Sequence, residues 1–202
     1  MNDAELIQRH VHGDAQAFNF LVWRWQTPIY NFCLRYSGSR DDALDLAQKT
    51  FIKCYHSLDQ LNNAERFRSW LYQIALNQCR DHSRNRYYKY HVLDDSENFG
   101  DHEGNNVREV TSEMGADRSN PEWSTEQAQL QDILARALAE LPDEQKTVII
   151  LKEYQDLTFH DIAEVLKESE NTVKSRLYYG LRTLRKILTK WNIDKELLGY
   201  EM

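Results

Sequence analysis

Residues 157–185 read LTFHDIAEVLKESENTVKSRLYYGLRTLR, and this stretch decides the fold of the C-terminal part of the chain. Thr158, followed three residues later by Asp161, has the pattern of a reciprocal helix cap. A short apolar helix follows, and a polar turn at 167–169 ends it. The next helix carries Val173, Leu177 and Leu181 at spacings of four residues, which predicts that these three face inward. Two helices joined by so short a turn are typical of a helix-turn-helix unit.

The second helix of such a unit enters the major groove of DNA, and its N-terminal residues meet the base edges. Lysine and arginine can donate to guanine there, and a serine hydroxyl can meet several bases. A three-helix packing module with a solvated face is the alternative, and the spacing favours DNA binding. With the apolar positions inward, the side chains predicted to project outward are Asn171, Lys174, Ser175, Tyr178 and Arg182.

The rest of the chain also has helical periodicity, and its seven glycines and three prolines in 202 residues favour long helices. Helices are predicted over 17–35 with a kink or break at Pro28, from about Asp41, from about Arg66, and over 130–141. The segment 143–154 that follows carries the apolar residues Val148, Ile149 and Leu151. We therefore expect an all-α fold of two small helical domains, a helical bundle at 1–90 and a helix-turn-helix domain at 127–191. An acidic flexible linker at 91–126 joins them, and a tail at 192–202 follows.

The net charge of −7 divides unevenly along the chain. Residues 66–90 hold six basic side chains and one acid, residues 91–126 hold two basic side chains and ten acids, and residues 157–191 hold seven basic side chains and four acids. The three segments thus carry +5, −8 and +3. Two basic segments flanking an acidic one fit DNA contact at two places, because phosphate neutralisation is local. Charge alone favours the alternative, in which the basic helix faces are merely solvated.

A second polar stripe lies on the helix that starts near Arg66. Positions i, i+3, i+4 and i+7 share one helix face, and they are occupied by Asn77, Arg80, Asp81 and Arg84. The Asn62-Asn63 loop precedes this helix, and unstacked bases can sit on aromatic rings such as those of Tyr72, Tyr87 and Tyr88. The stripe alone is more typical of an ordinary solvated helix face.

Three blocks of sequence resemble the extracytoplasmic-function sigma factors, the small sigma-70-type subunits of bacterial RNA polymerase. DDALDLAQKTFIKCYHSL at 41–58 and FRSWLYQIALNQCRDHSR at 67–84 are similar to sigma region two. LPDEQKTVIILKEYQDLTFHDIAEVLKESENTVKSRL at 141–177 is similar to sigma region four. The resemblance implies a subunit that binds core polymerase, reads the minus-ten and minus-thirty-five promoter elements and helps to melt the DNA, without enzymatic activity of its own.

The resemblance also implies a role for particular residues. Contact with the polymerase, through the coiled coil of its largest subunit, falls to Asp45, Gln48, Phe51 and Lys53. Reading and melting of the minus-ten element fall to Asn62, Asn63, Arg66, Asn77, Arg80, Asp81 and Arg84. Reading of the minus-thirty-five element falls to Asn171, Thr172, Lys174, Ser175, Arg176, Tyr178, Tyr179 and Arg182. The polymerase flap and an anti-sigma protein are further expected partners, and the linker corresponds to the segment that threads toward the polymerase active site.

Two departures from the family pattern bear on these roles. Gln48-Lys49 stands where the family has Gln-Glu, which affects the polymerase contact. Tyr179 and Leu181 replace basic residues late in the recognition helix, so the customary upstream element cannot be assumed, and apolar contact with thymine methyls becomes the expected mode there.

Two other functions stay open from the sequence, a helix-turn-helix regulator that works without polymerase and a helical adaptor for protein partners. An enzyme is disfavoured, because no nucleophile–base pair, phosphate loop or metal-ligand spacing is present. Cys33, Cys54 and Cys79 form no CxxC pair and are expected in the core. No cofactor, no membrane insertion and a cytoplasmic location are expected.

Overall fold

The computed structural model describes residues 1–94 and 125–193, and every regular element in these ranges is a helix or a helical turn. The predicted all-α fold is confirmed. The predicted linker at 91–126 and the tail at 192–202 lie mostly outside the described residues, and the domain boundaries stay predictions. None of the described helices is long and apolar enough to cross a membrane.

Four helices form the N-terminal bundle, and side-chain caps begin the first three of them. The side chains of Asn2, Asp14 and Ser39 each accept a hydrogen bond from a backbone N–H of the following turn. Such caps satisfy donors that the start of a helix leaves without a partner. The helices are α1 (Asp3–Val11), α2 (Ala15–Ser37), α3 (Arg40–Ser57) and α4 (Phe67–Asp94), with short 3-10 turns at Leu58–Gln60 and Ala64–Arg66.

The prediction of a kink or break at Pro28 is wrong as to the break, because α2 is assigned as one helix from Ala15 to Ser37 with the proline inside it. A proline removes one backbone hydrogen bond and crowds the carbonyl four residues earlier. The helix therefore needs support from packing on both sides. Leu21 before the proline and Ile29 and Phe32 after it are at most 1% exposed, and their burial supplies that support.

The C-terminal bundle contains the predicted helix-turn-helix. The reciprocal cap at its start is confirmed: the Thr158 hydroxyl accepts from Asp161 N at 3.1 Å, and Asp161 Oδ2 accepts from Thr158 N at 3.0 Å. Lys167, with a φ of 56°, turns the chain between the two helices. The elements are α5 (Thr125–Ala139), α6 (Asp143–Ile149), a π-helical turn (Ile150–Tyr154), α7 (Phe159–Leu166) and α8 (Glu170–Lys190).

The inward face of α8 differs from the prediction at one position. Leu181, expected inward, is 43% exposed, whereas Gly180 is buried. A Cβ atom at Gly180 would lie 3.0 Å from Ile149 Cδ1 and 3.2 Å from Gln145 Cβ. The glycine thus lets α6 and α8 approach closely, and the helix turns its neighbouring leucine outward.

The two bundles share one continuous cluster of buried apolar residues. In it α4 packs on α7, and α2 packs on the turn Ile150–Tyr154. Tyr72, predicted as an aromatic surface for bases, is only 1% exposed, and its hydroxyl donates to Gln155 Oε1 at 2.7 Å. That prediction is wrong, because the ring is buried and packs edge-on against Trp25 and Phe32 of its own bundle. The three cysteines are also buried, which confirms their predicted core position.

Candidate nucleic-acid interfaces

The first candidate surface, named here the α4 face, comprises Asn62, Asn63, Arg66, Asn77, Arg80, Asp81 and Arg84. The structure confirms that the last four share one side of α4, with Arg80 half-buried and the other three exposed. The loop residues lie at the N-terminal end of α4, and Asn77 lies ten residues, roughly 15 Å, along the helix from its first residue. The α4 face therefore consists of two patches, one at the loop and one further along the helix.

The two loop asparagines differ in how available their side chains are for contact with a base. Asn63 caps the turn Ala64–Arg66, because its Oδ1 accepts from Glu65 N at 3.0 Å. Its carbonyl oxygen is therefore occupied by the backbone. Asn62 is exposed and stays the better candidate of the pair for contact with an extruded base.

The arginines of the α4 face are paired with carboxylates. Arg80 Nε donates to Asp143 Oδ2 at 3.0 Å, and Arg66 Nε lies 3.2 Å from Glu164 Oε1. Both carboxylates belong to the C-terminal bundle. The charge of +5 on residues 66–90 is thus partly neutralised in this arrangement. The pairs are partly exposed and contribute little to stability singly.

Asp143 joins a further pair of side chains at the same contact. The Tyr36 hydroxyl donates to Asp143 Oδ1, and Lys146 Nζ donates to the Tyr36 carbonyl at 3.2 Å. Burial raises the pKa of the Tyr36 phenol, and the hydrogen bond to Asp143 raises it further. Burial lowers the pKa of Lys146, against the attraction of Asp143. Tyr36 therefore acts as a neutral donor toward Asp143 throughout the ordinary pH range.

The second candidate surface, named here the α8 face, is the outward side of α8. Its predicted members Asn171, Lys174, Ser175, Tyr178, Tyr179 and Arg182 are all exposed. The two tyrosine rings are 64% and 54% exposed, and their centroids lie 5.5 Å apart. Lys174 Nζ lies 3.6 Å from Glu170 Oε2 and 5.4 Å from the centre of the Phe159 ring. Leu181, which the sequence pattern placed inward, joins this face.

Two other predicted reading residues of α8 lie away from this face. Thr172 is half-buried, and its Oγ1 lies 2.9 Å from the capping hydroxyl of Ser169. The Arg176 guanidinium is 20% exposed and lies 3.0 Å from a Glu144 oxygen and 3.1 Å from a Glu168 oxygen. At about 100° per residue, Arg176 lies roughly 140° around the helix from Asn171. A role of Thr172 and Arg176 in DNA contact stays a prediction.

The predicted polymerase contact falls on α3, beside an open apolar groove of 590 Å³ between α2 and α3. Gln48 and Phe51 line the groove, whereas Asp45 makes a 2.6 Å ion pair with Lys49. Lys49, which stands where the family has glutamate, therefore neutralises the charge of Asp45, one of the predicted contact residues. At about 100° per residue, Lys53 lies roughly 160° around α3 from Phe51, on another side of the helix.

No group of three or more histidine, cysteine, aspartate or glutamate side chains within 1–94 and 125–193 is placed to hold a metal ion. What the structure brings together is polar, basic and aromatic side chains on two helical surfaces. Such surfaces bind by hydrogen bonds, charge and stacking.

Two family models match the chain, and together they contain both faces. Sigma-70 region 2 matches residues 21–87, and Sigma-70 region 4 matches residues 131–184. The α4 face lies within the first match. The α8 face lies within the second.

Curated relatives extend this similarity over most of the chain. The ECF RNA polymerase sigma-E factor of Haemophilus influenzae is 32% identical over 182 residues, which is 88% of this chain and 90% of that protein. The ECF RNA polymerase sigma factor SigW of Bacillus subtilis is 34% identical over 176 residues, which is 87% of this chain and 91% of that protein.

Solved structures share the fold. CnrH, in complex with the cytosolic domain of CnrY, has a TM-score of 0.66 at 23% identity, over 93% of this chain and 97% of its own. RpoE of Bartonella quintana, in complex with the anti-sigma factor NepR, has a TM-score of 0.64 at 19% identity, over 90% of this chain and 100% of its own. With both regions matched in order and relatives that align over nearly the whole length, this chain belongs to the extracytoplasmic-function sigma factors of the sigma-70 family.

Proposed function

We propose that this chain directs promoter-specific transcription initiation as a sigma subunit of bacterial RNA polymerase, with the α4 face reading the minus-ten element and the α8 face reading the minus-thirty-five element. The observation that carries the proposal is the presence of two chemically different polar faces, each inside its own sigma region. The chain acts by binding, and the polymerase performs the chemistry.

The α8 face suits duplex DNA. It is a convex strip on the first half of a capped helix, which is the geometry that enters a major groove. Lys174 and Ser175 offer hydrogen bonds to base edges, and the exposed tyrosines offer apolar contact. These residues are supported as the readers of the upstream element by their exposure on one side of α8.

The α4 face suits bases that have left the stack. Asn62 and Asn77 offer both donors and acceptors, which match the polar edges of single bases. Extruding a base costs a few kcal/mol, more than a few exposed side chains supply. Melting is therefore expected only when the polymerase holds the remaining DNA.

The groove beside α3 is the proposed docking surface for the coiled coil of the largest polymerase subunit. A helix binds a groove by laying its apolar face into it. Three apolar side chains at this surface, Leu44, Ile52 and Tyr55, are 61%, 52% and 48% exposed. Together with Gln48 and Phe51 they support a helical partner of mixed apolar and polar character.

An anti-sigma protein is a further proposed partner. CnrH was solved with the cytosolic domain of CnrY, and the Bartonella quintana RpoE with the anti-sigma factor NepR. The support for such a partner here is the shared family and fold.

One reconstitution tests the proposed function. Purified protein is mixed with sigma-free core polymerase and a library of promoter fragments, and transcripts are mapped at their 5′ ends. We expect start sites that core polymerase alone does not use. A helix-turn-helix regulator would instead bind its duplex site without core and would add no start sites to core transcription, and that outcome would refute the proposal.

A further inference from the structure

The first residue of α8, Glu170, lies on the same ridge of the helix as two members of the α8 face. Residues four positions apart share one side of a helix, so Glu170 is aligned with Lys174 and Tyr178. Its side chain is 44% exposed. A carboxylate is therefore carried on the surface that the proposed function turns toward the major groove, although every other member of that surface is neutral or basic.

Two neighbours orient this carboxylate, one from each helix of the helix-turn-helix. Glu170 Oε2 lies 3.6 Å from Lys174 Nζ, and Glu170 Oε1 lies 3.4 Å from His160 Nδ1 of α7. Both contacts are longer than the about 2.7–2.9 Å of a charge-assisted hydrogen bond. A carboxylate can accept at about four positions. Glu170 is thus held from two sides and keeps the capacity to accept from a further donor.

Lys174 and Glu170 together present a donor and an acceptor side by side. Base pairs present the complementary couples in the major groove. In G·C, the O6 acceptor of guanine adjoins the N4 amino group of cytosine, and in A·T, the N7 acceptor of adenine adjoins its own N6 amino group. A carboxylate accepts from an amino group and is repelled by the lone pairs of O6, O4 or N7. Glu170 therefore fixes where along a base pair the amino group has to lie.

We propose that Glu170 is a specificity-determining residue of the α8 face, which accepts a hydrogen bond from the exocyclic amino group of one upstream base, cytosine N4 or adenine N6. The inference rests on the proposed function for the placement of α8 in the major groove. Glu170 acts mainly by exclusion, because a base pair that turns an oxygen or N7 toward it meets an uncompensated negative charge. Lys174 supplies attraction to the neighbouring acceptor, and Glu170 supplies the choice between base pairs.

A purely structural role for Glu170 has different consequences. An acid in the first turn stabilises a helix through the helix dipole, and its removal would lower the melting temperature and weaken binding to all sequences alike. A specificity role instead means that binding to disfavoured sequences rises when the carboxylate is removed, because a negative charge near the bases and phosphates is lost. Comparison between sequences separates the two roles.

The first measurement compares promoter sequences. Holoenzyme with Glu170→Ala is tested on the upstream element that the unmodified holoenzyme selects, and on variants with each base pair changed in turn. We expect discrimination at one position to fall by roughly fivefold or more, through stronger binding of the disfavoured base pairs. The matched control is Glu168→Ala, because Glu168 pairs with Arg176 at 3.1 Å, away from the α8 face. The control should keep full discrimination.

The second measurement replaces the amino hydrogen itself. N4-methylcytosine and N6-methyladenine still pair, with the methyl group in place of the hydrogen that points into the major groove. Promoters that carry one such base are bound by the unmodified and the Glu170→Ala holoenzymes, and any effect on the duplex alone cancels in the ratio of the two. We expect a loss of roughly fivefold at one position with the unmodified protein and little loss there with the variant. The position identifies the base as cytosine or adenine.

The outcomes separate this role from the proposed function. No loss at any methylated base with the unmodified protein overturns the role of Glu170 without the need for a variant. Uniform weakening by Glu170→Ala on all sequences also overturns it and leaves Glu170 as a stabiliser of the helix start. In both cases the sigma function stands. Absence of promoter-specific transcription with the unmodified protein overturns the function itself.

Discussion

The two reading faces differ in what surrounds them. The α8 face projects from the C-terminal bundle with its tyrosines more than half exposed. The α4 face carries more arginines, yet Arg80 and Arg66 are each bound to a carboxylate of the other bundle. The number of basic residues in a segment therefore does not measure how much positive charge it presents to DNA. Tertiary pairing decides that, and it differs between the two faces of this one chain.

The largest expected effect comes from blocking the contact with core polymerase, because neither reading face then reaches the promoter. Asp45→Arg with Gln48→Arg places two positive charges beside the apolar groove at α3, and we expect loss of co-purification with core polymerase and of transcription. Asp59→Arg with Gln60→Arg makes the same change at exposed positions of the neighbouring 3-10 turn and serves as the control. Normal binding by the α3 variant, with unchanged circular dichroism, would show that the polymerase docks elsewhere.

The next prediction separates the faces by the DNA each one needs. Lys174→Ala should cost about 1–3 kcal/mol of promoter binding if the lysine contacts a base, and preference at one upstream position should relax. Asn62→Ala should leave duplex binding by holoenzyme nearly intact and should impair promoter opening, as followed by permanganate reactivity.

A template with a pre-melted bubble distinguishes the two variants of that pair. The bubble supplies the opening that Asn62→Ala lacks, so it should restore transcription there and leave the Lys174→Ala defect unchanged. Asn63→Asp is a companion variant in the same loop. Its aspartate keeps a side-chain oxygen that can accept the capping hydrogen bond of the turn Ala64–Arg66. Equal rescue of the Asn62 and Lys174 variants, or of neither, contradicts a division of labour between the faces.

Local signals in the sequence predicted much of the fold and of each face. The cap at Thr158 and the polar stripe at Asn77 depend on neighbours within one or two helical turns, so a pattern contains them. The hydrogen bond of the Tyr72 hydroxyl and the pairing of Arg80 depend on Gln155 and Asp143, which are more than sixty positions away in the chain. No local periodicity carries that information, which is why the interface between the bundles was not foreseen.

Gly180 is intermediate between a local sequence signal and a long-range contact, and it determines how closely α8 packs against α6. Apolar periodicity placed Leu181 inward, although a glycine in a long helix is itself a signal of close packing. Gly180→Ala should destabilise the protein by about 1–3 kcal/mol through overpacking against Ile149, less the gain of up to about 1 kcal/mol in helix propensity. Thermal unfolding measures the balance. Adding Ile149→Val removes the Cδ1 atom nearest to the new methyl group, so the double variant should lose less than the sum of the single changes.

The smallest expected effect concerns what the α8 face reads through its apolar part. Tyr179 and Leu181 stand where the family pattern has basic residues, and both are exposed beside Tyr178. An apolar side chain in the major groove distinguishes thymine by its methyl group. Burying one methyl group is worth about 0.8 kcal/mol, or roughly a fourfold change in affinity.

Uracil differs from thymine only by that methyl group and pairs identically, so it isolates the contact. Promoter fragments selected by the holoenzyme are resynthesised with uracil at one upstream thymine at a time, and binding is compared position by position. We expect about a fourfold loss at one or two positions with the native protein and no loss there with Leu181→Ala. Arg182→Ala should weaken binding to thymine and uracil fragments alike, because a phosphate or guanine contact does not sense the methyl group. Uracil substitution without effect at every upstream position would mean that this apolar patch does not read bases, and the open face of α8 would then owe its specificity to Lys174 and Ser175.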